Sequence, residues 1–166
     1  MPIFFSEADR PVTVYLTDDV EPRTAFIIRP LTSAATERAR LRAGVLPFRG
    51  LRLLDEGFAH REDWAGWMET LDEADLVMLA RAQEWTHSTN LEVVREGLVT
   101  VDGEVVTADQ LEAGIRPASC ARVAIAELRG HIQAVSELDP KALSEYELRC
   151  GSNGTDADGD GTAPSA

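Results

Sequence analysis

The sequence predicts an α+β fold that is predominantly helical. Three observations support this prediction: an alternating apolar run near the N-terminus, apolar residues at spacings of three and four over much of the chain, and an Asp-Gly pair between two β-rich runs in the middle. The 166 residues suffice for one domain with a buried core. We expect a single domain over residues 1–150, with a hairpin at about 11–30 and a helical body at about 32–149, followed by a disordered acidic tail over 151–166.

The first predicted element is a β-hairpin. Val12, Val14 and Leu16 alternate with Thr and Tyr residues, and a second β-rich run, TAFIIR, covers residues 24–29. Two aspartates and a proline within residues 18–22 favour a turn between the two runs. An isolated two-stranded hairpin is only marginally stable in water, so we expect this one to pack on another part of the chain.

A helix is predicted next, in the segment LTSAATERARLRAG. Thr32 or Ser33 can cap its N-terminus, and Gly44 suits the left-handed residue that commonly follows a helix.

The segment after this helix, VLPFRGLRLLDEGF, is predicted to be irregular because Pro47 and Gly50 interrupt any helical period. Its apolar side chains, Phe48 and Leu51 among them, support two interpretations equally. The segment is either an exposed apolar loop that binds a partner or a loop folded onto the core.

Two further helices are predicted from Glu62 onward. The segment REDWAGWMETL places four apolar residues on one face at helical spacing, namely Trp64, Trp67, Met68 and Leu71. Asp72 can cap the following helix, EADLVMLARAQEWTHS. The apolar stripe of that helix comprises Leu76, Leu79, Ala80 and Trp85. Tryptophans at this spacing are more often core residues, but Trp is also enriched among interface hot spots, so a role as a partner anchor stays open.

The middle of the chain predicts a second, short β-hairpin. The pair Asp102-Gly103 lies between the β-rich runs of GLVTVDGEVVT and is the strongest short hairpin signal in the sequence. Thr107 then opens a Thr-x-x-Gln capping box at the start of a short helix.

A long helix is predicted after Pro117, and its apolar face comprises Cys120, Ala124, Leu128, Ile132 and Val135. The pair Asp139-Pro140 caps and begins a final helix.

Charge and composition argue against several classes of function. The chain carries 16 basic and 29 acidic residues, for a net charge of −13. This balance argues against nucleic acid as a partner, because such binding depends on neutralising phosphates. No segment approaches the roughly 20 apolar residues of a membrane span, and the N-terminus lacks a signal-peptide pattern. Cys120 and Cys150 stand far apart without metal-ligand spacing, so we expect free thiols in a cytoplasmic protein.

Candidate metal and catalytic motifs are incomplete. The tail imitates the first half of a calcium loop through Asp156, Asp158, Asp160 and Gly161. The glutamate of the twelfth position is missing, so we interpret these residues as part of the acidic tail. Glu84-x-x-His87 matches part of a di-iron motif, and a solvated helix face is the simpler interpretation. The chain has neither a Gly-x-Ser-x-Gly elbow nor a phosphate-binding loop. We therefore expect a non-enzymatic protein without catalytic residues, metal or cofactor.

Three segments resemble tail assembly chaperones of long-tailed bacteriophages and prophages. They are FIIRPLTSAATERAR after the first hairpin, VVREGLVTVDGEVVTADQLEAGIRP in the middle, and VAIAELRGHIQAVSELDPKALSEYE near the end. The order of elements over roughly residues 10–150 is similar to that of this family.

The resemblance implies a non-enzymatic role in the bacterial host cytoplasm. Chaperones of this family bind the long, helical, aggregation-prone tape-measure protein and help to recruit tail-tube subunits. On this interpretation the candidate partner contacts are Phe48, Leu51, Trp64 and Trp67. Two alternatives stay open: a structural virion component, such as a head–tail adaptor or minor tail protein, and a small host adaptor or regulatory domain. The sequence also leaves open whether the chain forms a homo-oligomer.

Overall fold

The structure of the protein, a computed structural model, describes residues 10–17 and 22–152. The strands of this part are β1 (Val12–Val14), β2 (Phe26–Ile28) and β3 (Leu98–Val101). Its α-helices are α1 (Ser33–Arg42), α2 (Phe48–Ala59), α3 (Trp64–Glu69), α4 (Glu73–Gly97), α5 (Ala108–Gly114), α6 (Ala118–Ser136) and α7 (Pro140–Ser152). The predominantly helical α+β class is confirmed. Gly151 and Ser152, predicted to begin the acidic tail, instead end α7. The rest of the predicted tail, residues 153–166, lies outside the described residues.

The three strands form one antiparallel sheet in the order β1-β2-β3. Val12 pairs with Ile28 and Val14 with Phe26, which confirms the N-terminal hairpin. These four side chains are buried, while the residue between each pair is only partly buried. The sheet therefore buries one face, and the hairpin is stabilised by β3 and by the helices that pack on it.

The prediction of a second hairpin is wrong in its pairing. Asp102 and Gly103 have φ angles of 49° and 82° and form the expected tight turn, but only one bridge, from Val101 to Glu104, follows it. The outer edge of β2 takes β3 as its partner instead. Asp102 fixes this arrangement, since its carboxylate accepts a hydrogen bond from the backbone N–H of Ala25 at 2.8 Å. The chain enters α5 soon after the turn, so no second strand forms.

The prediction of an irregular segment after α1 is also wrong, because this segment forms α2. Pro47 is the residue immediately before the helix, where its missing N–H does not interrupt the hydrogen-bond ladder. Gly50 lies within the helix where α2 packs closely on α4. A Cβ atom at this position would lie 2.2 Å from the backbone oxygen of Met78. Neither residue therefore breaks the helix: Pro47 precedes its first turn, and Gly50 allows the close approach of α4.

Four predicted helix caps are confirmed. Thr32 accepts a hydrogen bond from the N–H of Ala35. Thr107 and Gln110 form the reciprocal capping box. The carboxylates of Asp72 and Asp139 each accept a hydrogen bond at 2.8 Å from the N–H three residues later. These interactions are local, and each satisfies a backbone donor that the helix geometry leaves without a partner.

Helix α4 extends 25 residues, well beyond the predicted segment that ended at residue 88. The predicted apolar stripe is only partly correct, since Leu79 is buried but Leu76 and Ala80 are exposed. The buried residues of this helix are Leu79, Ala82, Val93, Val94 and Gly97. Helix α2 covers the first half of α4, and α1, α5 and α6 also pack on it. The buried face of the helix is consequently set by several neighbours, which differ along its length.

Two hydrophobic clusters organise the described part of the chain. The main core joins the buried face of the sheet to α4, α5, α6 and α7, and its fully buried side chains include Ile28, Val94, Ile125, Leu128, Ile132 and Leu143. The predicted face of α6 is confirmed except at Cys120, which is exposed. The second cluster, here called the α2–α3 cluster, consists of Leu53, Trp67 and Leu79 with the partly buried Leu54, Trp64, Met68, Leu71 and Met78. Helix α4 runs through both.

Candidate partner-binding surface

Helix α2 has two apolar faces. Successive residues of an α-helix are about 100° apart, so Gly50, Leu53 and Gly57 share one face. All three are buried against the neighbouring helices. A second stripe, here called the outer stripe, is centred about 120° around the helix from this face. It consists of Phe48, Leu51, Leu54 and Phe58, of which Leu54 also packs against the α2–α3 cluster. A helix that is apolar on both sides normally lies between two partners, and here only the inner face is fully covered.

The outer stripe exposes large apolar side chains. Phe48 is 75% exposed and Phe58 is 69% exposed, while Leu51 and Leu54 are partly buried. The guanidinium of Arg61 lies 5.1 Å from the centre of the Phe58 ring and covers part of it. Leu41 and Val45, which precede α2 in the sequence, are also exposed. Large exposed apolar side chains grouped on one helix are typical of an interaction site.

The inner face holds α2 in a fixed position. The backbone of Gly50 touches α4, and a Cβ atom on Gly57 would lie 2.5 Å from Cζ3 of Trp64 and 2.7 Å from Cζ3 of Trp67. Arg49 forms an ion pair with Asp75 at the start of α4. Because these contacts set the rotation of α2 about its own axis, Phe48 and Phe58 are exposed to solvent while Leu51 and Leu54 stay partly buried.

The structure separates the four predicted contact residues into two pairs. Phe48 and Leu51 lie on the outer stripe. Trp64 is partly buried, and Trp67, only 9% exposed, belongs to the α2–α3 cluster, where the two indole rings are 5.0 Å apart. Trp67 packs against the inner face of α2 and has little surface accessible to a partner. Its role as a direct partner contact stays a prediction.

Sequence reasoning grouped Leu54 with Phe48 and Leu51 in the apolar segment but missed Phe58 as a member of the same surface. The spacing of these four residues, in steps of three and four, carries the helical signal. That signal was hidden by interpreting Pro47 and Gly50 as breaks.

Other polar clusters serve the packing of α6 with its neighbours. The carboxylate of Glu127 accepts hydrogen bonds from the N–H and the hydroxyl of Thr17, at 2.7 and 2.6 Å. His131 Nε2 lies 3.8 Å from the same carboxylate, and His131 Nδ1 lies 2.5 Å from the Tyr146 hydroxyl oxygen. Burial, together with the neighbouring Cys150, raises the pKa of Tyr146 to about 12, so this phenol keeps its proton at neutral pH.

We expect acid to destabilise this region through His131. Burial lowers the pKa of His131 below its ordinary value of 6.5, and the nearby Glu127 opposes this shift only in part. The folded state therefore favours the neutral imidazole. Its contribution to the free energy of unfolding is fully present above about pH 6.5 and is lost as the pH falls through the folded-state pKa.

Urea denaturation of the wild type and of His131→Gln at pH 7.5 and pH 5.0 measures this effect. The wild type should lose more stability than the variant between the two pH values. An equal loss in both proteins would contradict the assignment to His131.

The Glu84-x-x-His87 motif does not assemble a site. Glu84 is exposed and pairs with Arg122 at 2.6 Å, as expected of a solvated face. That interpretation is wrong for His87, because α5 packs beside it and brings Glu112 within 2.5 Å of Nε2. Within the described ranges, no group of three His, Cys, Asp or Glu side chains could hold a metal ion.

The two cysteines, Cys120 and Cys150, are both free thiols. In the same ranges, no helix combines the length and apolar character that a membrane crossing needs.

Comparison with models of known protein families, with curated proteins and with solved structures finds no match to this chain.

Proposed function

We propose that this protein is a non-enzymatic tail assembly chaperone of a long-tailed bacteriophage or prophage. In this role the outer stripe of α2 binds the tape-measure protein in the host cytoplasm and helps to recruit tail-tube subunits. The observation that carries the proposal is the exposure of Phe48 and Phe58 on one face of a helix whose other face is fully packed.

The physical properties of the chain suit such a role. A chaperone for an aggregation-prone helical protein has to cover apolar side chains of its partner without associating with itself. The outer stripe offers apolar surface at helical spacing, which fits the helix-in-groove mode of recognition. The net charge of −13 opposes self-association.

The genomic neighbourhood of the gene is the first test. The proposal expects a very long helical reading frame downstream and a slippery heptamer near the stop codon, with an overlapping second frame. Metabolic or regulatory neighbours, without tail-tube or tape-measure genes, would contradict the phage assignment.

Co-expression with the neighbouring tape-measure protein tests the surface. We expect the wild type to keep the tape-measure protein soluble and to co-purify with it, because the outer stripe covers apolar segments of the partner. The double variant Phe48→Ser/Phe58→Ser should reduce the co-purified amount by about tenfold or more, as expected when two hot-spot side chains are lost.

Val105→Ser is the control, since Val105 is also an exposed apolar residue but lies outside α2. An equal loss for Val105→Ser would contradict the assignment to α2. Recovery of the protein from purified virions would favour a structural tail component over a chaperone.

A further inference from the structure

We infer that the outer stripe of α2 binds a basic amphipathic helix, which acidic side chains around the α2–α3 cluster attract and orient. This inference rests on the proposed function, since it assumes that the outer stripe is the binding face. It adds the chemical class of the segment that binds there.

Negative charge is concentrated in the segment that forms α2, α3 and the start of α4. Residues 48–75 contain eight acidic residues and three arginines, Arg49, Arg52 and Arg61, for a net charge of −5. These 28 of the 166 residues therefore carry more than a third of the net charge of the chain, which is −13. The acidic residues are Asp55, Glu56, Glu62, Asp63, Glu69, Asp72, Glu73 and Asp75.

Half of these carboxylates are available to a partner. Asp75 and Glu56 form ion pairs with Arg49 and Arg52, and Asp63 and Asp72 cap helices. The other four, Asp55, Glu62, Glu69 and Glu73, are exposed, and none of them pairs with a cation in the part of the chain that the structure describes. Asp55 lies on α2 between Leu51 and Phe58, so one carboxylate stands at the edge of the outer stripe itself.

The shape of the outer stripe favours a helix as the bound element. From Phe48 to Phe58 the stripe rises about 15 Å along the axis of α2. Its side chains form a ridge with spacings of three and four residues, which packs between the ridges of a second helix with the same spacing. A partner helix of about three turns covers the whole stripe.

The charge also selects which helix binds. A helix with Lys or Arg beside its apolar stripe brings cations close to Asp55 and is attracted by the acidic segment that follows it, whereas an acidic helix meets like charges. A second copy of this chain would bring the same acidic surface onto itself, so self-association through this face is disfavoured.

Two synthetic helices test the inference. Both are hydrocarbon-stapled peptides of about five turns with the same leucine stripe, and one carries Lys at its polar positions while the other carries Glu. Fluorescence anisotropy against the full chain measures binding at low and at high salt. We expect the Lys peptide to bind at least about tenfold more tightly than the Glu peptide at low salt, and we expect salt to reduce this difference. The double variant Phe48→Ser/Phe58→Ser should lose binding of the Lys peptide.

A pair of charge variants locates the effect. Glu62→Gln/Glu69→Gln/Glu73→Gln removes three exposed charges of the acidic segment without changing α2 itself. The control, Glu104→Gln/Glu137→Gln/Glu145→Gln, removes three exposed charges elsewhere. The first variant should weaken binding of the Lys peptide several-fold, and the control should leave it nearly unchanged, since screened charges act over about 10 Å.

Three outcomes would overturn the inference: equal binding of both peptides, equal weakening by both charge variants, and binding that survives the loss of both phenylalanines. If the peptides fail while the tape-measure protein still co-purifies through Phe48 and Phe58, the charge inference fails and the proposed function stands. If co-purification is also insensitive to these residues, the proposed role of α2 fails too.

Discussion

Replacing Gly50 with alanine is expected to destabilise the protein by about 2–3 kcal/mol, because the added methyl group has no room between α2 and α4. Its Cβ would lie 2.2 Å from the backbone oxygen of Met78 and 2.8 Å from Cβ of Ala82. A backbone oxygen within a helix cannot rotate away, so α2 itself has to move. Urea denaturation followed by circular dichroism measures the loss in the free energy of unfolding.

Gly130→Ala is the matched control for this experiment. Gly130 lies within α6, and a Cβ atom there would meet no other atom within 4 Å. Because alanine restricts the unfolded chain and favours helix, this variant should be more stable than the wild type by about 0.5–1 kcal/mol. If Gly50→Ala behaved like Gly130→Ala, the close contact between α2 and α4 would be refuted.

Replacing Leu128 with alanine is expected to reduce the free energy of unfolding by about 3 kcal/mol, because it leaves a cavity in the main core. Leu128 is fully buried and lies on the face of α6 that packs against the rest of this core. Thermal and urea denaturation both report the loss.

Val123→Ala is the control on the same helix, since Val123 is exposed. It should change stability by no more than about 0.5 kcal/mol. Similar losses for both variants would show that Leu128 is not a core residue.

Local signals in the sequence predicted the N-termini of four helices correctly. Thr32, Asp72, Thr107 and Asp139 each cap the helix that follows, as expected. A cap needs only a side chain and a backbone N–H two or three residues away, so the sequence contains all the information that this interaction requires.

Contacts between distant segments explain the parts of the fold that the sequence did not predict. Gly50 weakens the helical pattern of α2, but the close approach of α4 favours glycine at this position. The residues after Gly103 have a β-rich composition, yet β2 provides the partner strand for β3, and Val105 stays exposed. In both cases tertiary packing overrides the local secondary-structure propensity of the segment.

The candidate surface was predicted in part for the same reasons. Phe48 and Leu51 were recognised from their apolar character in a segment without a clear period. Phe58 requires the knowledge that this segment is helical, since only then does it fall on the same face. Trp67 was instead predicted as a partner contact and is largely buried. Its burial under α2 depends on the close approach of Gly57, which lies on a different helix, so the local sequence around Trp67 does not indicate it.

Helix α4 contributes to two hydrophobic clusters, and the exposed phenylalanines of the proposed binding surface lie outside both. Leu79 and Ala82 on its first half pack under α2, while Val93 and Val94 on its second half belong to the main core. Phe48 and Phe58 on the outer stripe belong to neither cluster. The chain can therefore adapt to a diverging partner over evolutionary time by changing a few surface residues of one helix, while the rest of its sequence stays constrained by packing.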